Sequence, residues 1–551
     1  MTIYQVLTRL FGNDCTKCVP AGTKEENGCG TLAAFSGKAL DEIRSLGATH
    51  VWFTGLIEHA TQTDYSAYGI KPDCKDVVKG KAGSPYAIKD YYDVDPDLAT
   101  DVTRRMKELE NLISRTHKAG LGFIMDFVPN HVARQYHSDA CPEGVEDLGA
   151  NDDRTVAFST QNNFYYLPGR PLHLDYIVGR HSNYSEVPAK VTGNDCFTAW
   201  PGGIDWYETV KLNYGIDYQN GYRRCFTPHP DTWGKMLGIL LFWAAKGVDA
   251  FRCDMAEMVP VEFWQWVIGE VKRLFPQVIF IAEVYNPAQY RSYIYTGGFD
   301  YLYDKVGLYD TLRSVTCYGT SAHQITQAWQ QVSDIQGNML NFLENHDEQR
   351  IASDFFAGQA DKGRPAMLVA ACMNTNPVMI YFGQEVGERG MDAEGFSGRD
   401  GRTTIFDYWS VDSINRLYNK QLDKNRLSDD EQNLLQFYRT LLTLCHTERA
   451  LSNGRFFDLM YANGHLQRQY AFVRADGHEV LLCLANFSDE QACVSVFVPR
   501  HAFDYLQLSG GGACVARDLL VNTQETIRFA PDESVVTTVA PWNCKILKIS
   551  L

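Results

Sequence analysis

The sequence predicts a (β/α)8 barrel with a subdomain inserted after its third strand and an antiparallel β-sandwich at its C-terminal end. Three observations carry that expectation. From Ile3 to about Ser452, short β-like apolar runs alternate with amphipathic helical stretches, the pattern of parallel βα units. The strand candidates number about eight, the number that closes such a barrel. The alternation breaks once, over 132–230, and changes character after Asn453.

The first barrel segment, 1–131, runs through "IYQVLTRL", the helical "KALDEIRSLG", "HVWFTGLI", the long amphipathic "DLATDVTRRMKELENLISRTHKAG" and "LGFIMDFVPNH". Residues 132–230 are rich in Gly, Asn, Asp and aromatics, and a connection of that length is usually functional or a small subdomain. The barrel resumes over 231–452 with "DTWGKMLGILLFWAAKG", "VDAFRCD", "PVEFWQWVIGEVKRLF", "QVIFIAEVY", "FDYLYDK", "MLNFLENHD", "RPAMLVAACMNT" and "PVMIYFGQE". The tail, 453–551, holds "LQRQYAFVRA", "EVLLCLANFS", "ACVSVFVP" and "WNCKILKIS" between turn signals, which reads as a small sandwich.

Composition narrows the partners. With 45% hydrophobic and 21% charged residues among 551, the chain is an ordinary globular protein and not a disordered one. A net charge of -16 without a long Lys/Arg run argues against nucleic acid or an anionic membrane. A neutral substrate fits better, and the 13% aromatic content suits stacking on sugars. The N-terminus "MTIYQVLTRLFGN" has no apolar run after a basic cluster, and nowhere do 18 uncharged apolar residues run together. A cytoplasmic location is therefore expected. Fifteen cysteines, an odd number, argue for reduced thiols over a disulfide framework. The pair Cys15 and Cys18, with Cys29 and Cys74 in nearby loops, is read as free thiols rather than a zinc site, because one Cys-x-x-Cys is a weak signal.

Polar residues at the C-terminal ends of barrel strands face the active site. Four strand ends carry carboxylates: Asp126 in "GFIMDFVPNH", Asp254 in "VDAFRCD", Glu283 in "VIFIAEV", and Glu344 with Asp347 in "LNFLENHD". One such carboxylate is weak evidence, since it often caps a helix or pairs with a lysine. Four at equivalent places are hard to attribute to capping. Arg252 stands two residues before Asp254, on the same face of its strand, where a charge-assisted hydrogen bond would hold that carboxylate ionised.

These motifs resemble those of the α-amylase family of glycoside hydrolases, the family 13 type, with amylase-like and oligoglucosidase-like members. The family's ordered regions are matched by "DFVPNH" at Asp126 to His131, by "FRCD", by Glu283 in "FIAEV" and by "NHD" at Asn345 to Asp347; "SPYAIKDYYDVDP" and "YFGQE" match flanking elements. The resemblance spans the barrel, roughly residues 1 to 452. It implies a retaining α-glycoside hydrolase of α-glucans or maltooligosaccharides, with Asp254 as nucleophile, Glu283 as acid/base and Asp347 binding the sugar hydroxyls. It further implies substrate contacts from Asp126, His131, Arg252 and His346, and a stacking platform at Tyr86. In the insert, Tyr165, Tyr166, Trp200 and Trp206 are offered as stacking residues or as that subdomain's own core.

The departures matter equally. The family's Lys-His at the end of the second region is Glu257 and Met258 here, which alters the aglycone side. In "ETVKLNYG", Lys211 and Asn213 stand at two of the family's calcium-site positions, leaving Asn130; calcium favours several oxygen ligands including carboxylates, so no metal ligand is assigned and no cofactor is required. The loop after the first strand offers Thr23, Glu25, Asn27 and Thr31, with one carboxylate, for weak calcium binding or none. Two readings of the activity stay open: hydrolysis, or an α-glucosyl transferase, transglycosylase or isomerase using the same three carboxylates. An oligosaccharide or polysaccharide is the expected partner, with no nucleic acid and no membrane. No domain is read before the first strand, which argues against a branching-enzyme or cyclomaltodextrinase-like architecture.

Overall fold

The computed structural model describes residues 1–418, 426–477 and 479–550. Positions 419–425 of the second barrel segment, and 478 and 551 of the C-terminal segment, lie outside the described residues. Eight parallel strands close the barrel: β1 (Thr2–Leu7), β2 (His50–Thr54), β3 (Gly122–Phe127), β4 (Ala250–Cys253), β5 (Ile279–Ala282), β6 (Tyr301–Tyr303), β7 (Met339–Phe342) and β8 (Val378–Tyr381). Each pairs with its sequence neighbours, and β8 pairs back onto β1, so the expected TIM barrel is present.

The barrel strands read as apolar runs because both faces are covered. Ile3, Trp52, Ile124, Ala250, Ile281, Tyr303, Leu340 and Met379, one from each strand, form a cluster of their own in the barrel interior. The alternate residues pack outward on the helices in the main core. The helix Arg105–Lys118 shows how that layer is encoded: Leu109, Leu112, Ile113 and Thr116 are its buried residues, at the i, i+3, i+4, i+7 spacing that gives a helix one apolar face.

The insert joins the barrel through an antiparallel pair, His131–Ala133 with Thr209–Lys211. It has its own core around Tyr165, Leu167, Leu174, Ala189, Val191 and Ala199. The C-terminal segment forms a six-stranded antiparallel sheet and a separate two-stranded one. Buried Arg474 fastens this segment to the barrel, its Nη1 donating to the Cys372 carbonyl at 2.8 Å and its Nη2 to the Leu451 carbonyl at 3.0 Å. Among the described residues no helix is long and apolar enough to cross a membrane.

Candidate active site

Side chains along a strand alternate between its two faces, so a residue two positions beyond an interior one points to the same side, nearer the C-terminal mouth. From Ile124 that step reaches Asp126, from Ala250 it reaches Arg252 and then Asp254, and from Ile281 it reaches Glu283. The register sets Arg252 beside Asp126 on β3 and Ile281 on β5. One guanidinium thereby meets three carboxyl groups. Its Nη1 donates to Asp254 Oδ1 at 2.7 Å and lies 3.5 Å from Asp126 Oδ1, while its Nη2 is 2.8 Å from Glu283 Oε2.

The contacts of Arg252 are unequal. The Nη1 bond to Asp254 is aligned as a hydrogen bond, whereas Nη2 has no hydrogen-bond acceptor among the described residues. Its Nε donates to the Tyr303 hydroxyl at 3.1 Å, and the guanidinium carbon lies 5.1 Å from the Trp52 ring centre and 5.5 Å from that of Tyr86. Trp52 also donates from Nε1 to Asp126 Oδ2 at 2.9 Å. Trp52 and Tyr303 complete the cage beneath the carboxylates, and neither was singled out from sequence. Their signal was interior position on β2 and β6, which becomes visible only once the barrel's inward register is known.

All three carboxyls are nearly closed off from solvent: Asp126 is 6% exposed, Asp254 6% and Glu283 2%. Burial raises each pKa because it penalises the charged form. Asp126 reaches about 7, with Arg252 and the Trp52 indole pulling it back down and Asp254 and Glu283 pushing it further up. For Asp254 burial is opposed by the Arg252 charge and its hydrogen bond, and by a hydrogen bond from the Glu283 carboxyl. For Glu283, burial is opposed by Arg252 and reinforced by the Asp254 charge. The aligned guanidinium bond favours ionised Asp254, and the Asp254 charge in turn opposes ionisation of Glu283.

Asp347 lies at the rim, its side chain 44% exposed, with Oδ2 at 3.1 Å from His346 Nε2. Enclosure by the cleft walls and then the Glu283 charge raise its pKa, with solvent access moderating the first. His346 is 3% exposed, and the Gln5 amide nitrogen lies 2.8 Å from its Nδ1. Nε2 is then the nitrogen left to carry the proton, facing the Tyr86 hydroxyl at 2.6 Å as well as Asp347. Burial and Arg252 hold this imidazole neutral. The Tyr86 ring stacks on it at 5.1 Å and 25°. His131, also buried, has its pKa lowered to about 3 by burial and the Lys211 and Lys79 charges, and it lies 5.1 Å from the Trp206 ring.

Other candidates go elsewhere. Glu344 turns away into a buried pair with Arg350 at 2.9 Å. Tyr165 and Tyr166, at 2% and 3% exposed, belong to core packing. Trp200 stays open and stacks on His173 at 4.3 Å.

The residues present do not fit the family's calcium ion. Lys211 Nζ donates to Asn130 Oδ1 at 2.8 Å and lies 2.5 Å from Asp195 Oδ1, so a buried ammonium already takes the Asn130 oxygen. Asn213 Oδ1 accepts from the Gly215 amide. In the loop after β1, Asn27 Oδ1 accepts from the Val19 amide at 2.8 Å, and Thr23 and Glu26 form a helix capping box. The thiols of Cys15, Cys18 and Cys29 lie against separate main-chain carbonyls. Among the described residues the one cluster of three potential metal-binding groups is Glu58, Asp90 and Asp93. There Asp90 accepts from Tyr92, Ser138, Asp139 and Ala140, and Asp93 from Arg105, while the two Glu58 oxygens have no hydrogen-bond partner among the described residues and burial pushes that carboxyl up to about 9.

Residues 20–454 match the family model described as alpha amylase, catalytic domain. An alpha-amylase of Streptomyces lividans is 25% identical over 562 residues, covering 92% of this chain, which spans 55% of that relative's length. An alpha-1,4-glucan:maltose-1-phosphate maltosyltransferase of Cereibacter sphaeroides is 33% identical over 92 residues, 16% of each chain. Among solved structures, a maltogenic alpha-amylase from Thermotoga neapolitana superposes with a TM-score of 0.64 at 18% identity, over 100% of this chain and 99% of that one.

Proposed function

Because this chain belongs to the α-amylase family, we propose that it is a retaining α-glycoside hydrolase of α-glucans or maltooligosaccharides, working through a covalent glycosyl-enzyme. The observation that carries this reading is the shared guanidinium. Arg252 gives its aligned bond to Asp254 and an unaligned contact to Glu283, which separates an ionised nucleophile from a protonated acid on adjacent strand ends.

In the first step Asp254 attacks the anomeric carbon while Glu283 gives its proton to the departing glycosidic oxygen. The sugar is then held as an ester on Asp254. In the second, ionised Glu283 takes a proton from water, which attacks the same carbon and returns Asp254 as carboxylate. Asp347 at the rim, with His346 Nε2 beside it, is placed to bind sugar hydroxyls as charge develops on the ring. His131 and Tyr86 line the same mouth.

No calcium is required in this scheme, since Lys211 supplies the positive charge at Asn130. Fifteen free cysteines support a reducing compartment such as the cytoplasm. The short match to a maltosyltransferase favours a second reading, in which a sugar acceptor replaces water in the second step.

Incubation with maltooligosaccharides, pullulan, sucrose and trehalose, with and without an added acceptor sugar, tests the proposal. Reducing ends released from maltooligosaccharides without acceptor are expected. Products that appear only with acceptor would make it a transferase, and no turnover of any α-glucoside would overturn both readings.

A further inference from the structure

Tyr285, the second residue after Glu283, donates its hydroxyl to Glu283 Oε1 at 2.6 Å. The other oxygen, Oε2, accepts from the Met255 amide at 2.8 Å. Tyr285 is in turn fastened through its main chain. Glu257 Oε2 accepts from the amides of Tyr285, at 3.2 Å, and Asn286, at 3.0 Å. The Glu257 carbonyl also accepts from the Tyr293 hydroxyl at 3.1 Å. Glu257 is the residue that stands where the family's motif has a lysine, and here its carboxylate ties the segment after β5 to the turn after β4.

Resting on the reading of Glu283 as the acid/base, we propose that Tyr285 and Glu257 are positioning residues for it. Glu257 fixes the segment that carries Tyr285, and the Tyr285 hydroxyl steadies the ionised form of Glu283. The groups around Glu283 show why such a donor matters. Asp254 just after β4, Asp126 on β3 and Asp347 after β7 all oppose its ionisation, as burial does. Arg252 favours ionisation, while His131 beside the mouth is neutral. The Tyr285 and Met255 donors add to Arg252 on the ionised side. An acid that must give a proton in one step and take one in the next works best with its pKa near the working pH, and this balance keeps Glu283 from being pushed above it.

The test is the pH dependence of kcat/KM on a maltooligosaccharide, whose alkaline limb reports the acid in the free enzyme. Removing a donor to a carboxylate raises that group's pKa, so Tyr285→Phe should move the alkaline limb up by about one pH unit. Glu257→Ala should move it the same way by less. Loss of the Glu257 charge alone would move it down, so the sign separates positioning from field. With an α-glucosyl fluoride, which needs no proton to depart, Tyr285→Phe should leave kcat/KM within about twofold of the parent, a readout that general damage to the fold would change. An active wild type whose Tyr285→Phe variant kept the parent's limb would overturn this inference alone. A wild type inactive on every α-glucoside would overturn the underlying reading and this with it.

Discussion

Two buried arginines at the C-terminal mouth of the barrel, Arg252 and Arg350, look alike in sequence and differ in what they leave unsatisfied. Both are fully buried, pair with carboxylates at strand ends and lie over aromatic rings. Arg350 is closed on every side. Its Nε and Nη2 donate to Thr403 Oγ1, its Nη1 donates to Glu344 Oε2 and the Phe382 carbonyl, and Glu344 Oε1 accepts from the Ile351 amide. Around Arg252, by contrast, Nη2 and Asp126 Oδ1 have no hydrogen bond among the described residues, and three carboxyl groups share one cation. The Arg350 pair satisfies its polar groups, and leaving such groups unpaired costs about 1–3 kcal/mol each. The Arg252 cluster leaves that cost in place at Nη2 and at Asp126 Oδ1.

The largest expected effect falls on the open cluster. Asp254→Asn should lower turnover by about 10⁴-fold or more, since the amide cannot form the glycosyl ester, while the melting temperature stays close to the parent's. Retention of more than a few per cent of activity, with contamination excluded, would move the nucleophile elsewhere. The closed pair should behave in the opposite way. Glu344→Gln removes one partner of a buried, fully bonded pair and should cost about 3 kcal/mol of stability, read as a lowered urea midpoint. Turnover per folded molecule should stay within a few fold. A Glu344→Gln protein as stable as the parent but inactive would erase the distinction between the two arginines.

The carboxylates at the mouth were legible in the sequence because a barrel strand converts spacing into direction. Asp126, Arg252, Asp254 and Glu283 each lie two residues past an apolar interior position, or four in the case of Asp254, so a linear pattern places them. Trp52, Tyr303 and Gln5 were not legible. Each is an unremarkable member of an apolar strand, and its part in the site exists only because closure brings β1, β2 and β6 to the ends of β3, β4 and β7. Glu344 misled for the same reason in reverse: it ends a strand as Asp254 does, but its partner Arg350 is on the following loop. The aromatic richness of the insert was ambiguous, since Tyr165 and Tyr166 fill its packing while Trp200 remains open. The Tyr285 bond to Glu283 depends on the turn around Glu257, which spacing alone does not describe.

The smallest effect expected concerns metal. With Lys211 Nζ already bridging Asn130 and Asp195, exhaustive chelation should leave activity and the melting temperature almost unchanged, because no bound ion then stabilises the native state by linkage. A fall in melting temperature that added calcium reversed would show that a cation is held despite the ammonium.

The division of labour between Asp254 and Glu283 is tested most directly by the stereochemistry of the first product. Attack by water on a glycosyl-enzyme comes from the face the leaving group vacated, so two inversions give net retention. Proton NMR during the first minutes of maltooligosaccharide hydrolysis, before mutarotation, should show the α-anomer at the newly formed reducing end. Initial release of the β-anomer would contradict the covalent mechanism and the assignment of this pair.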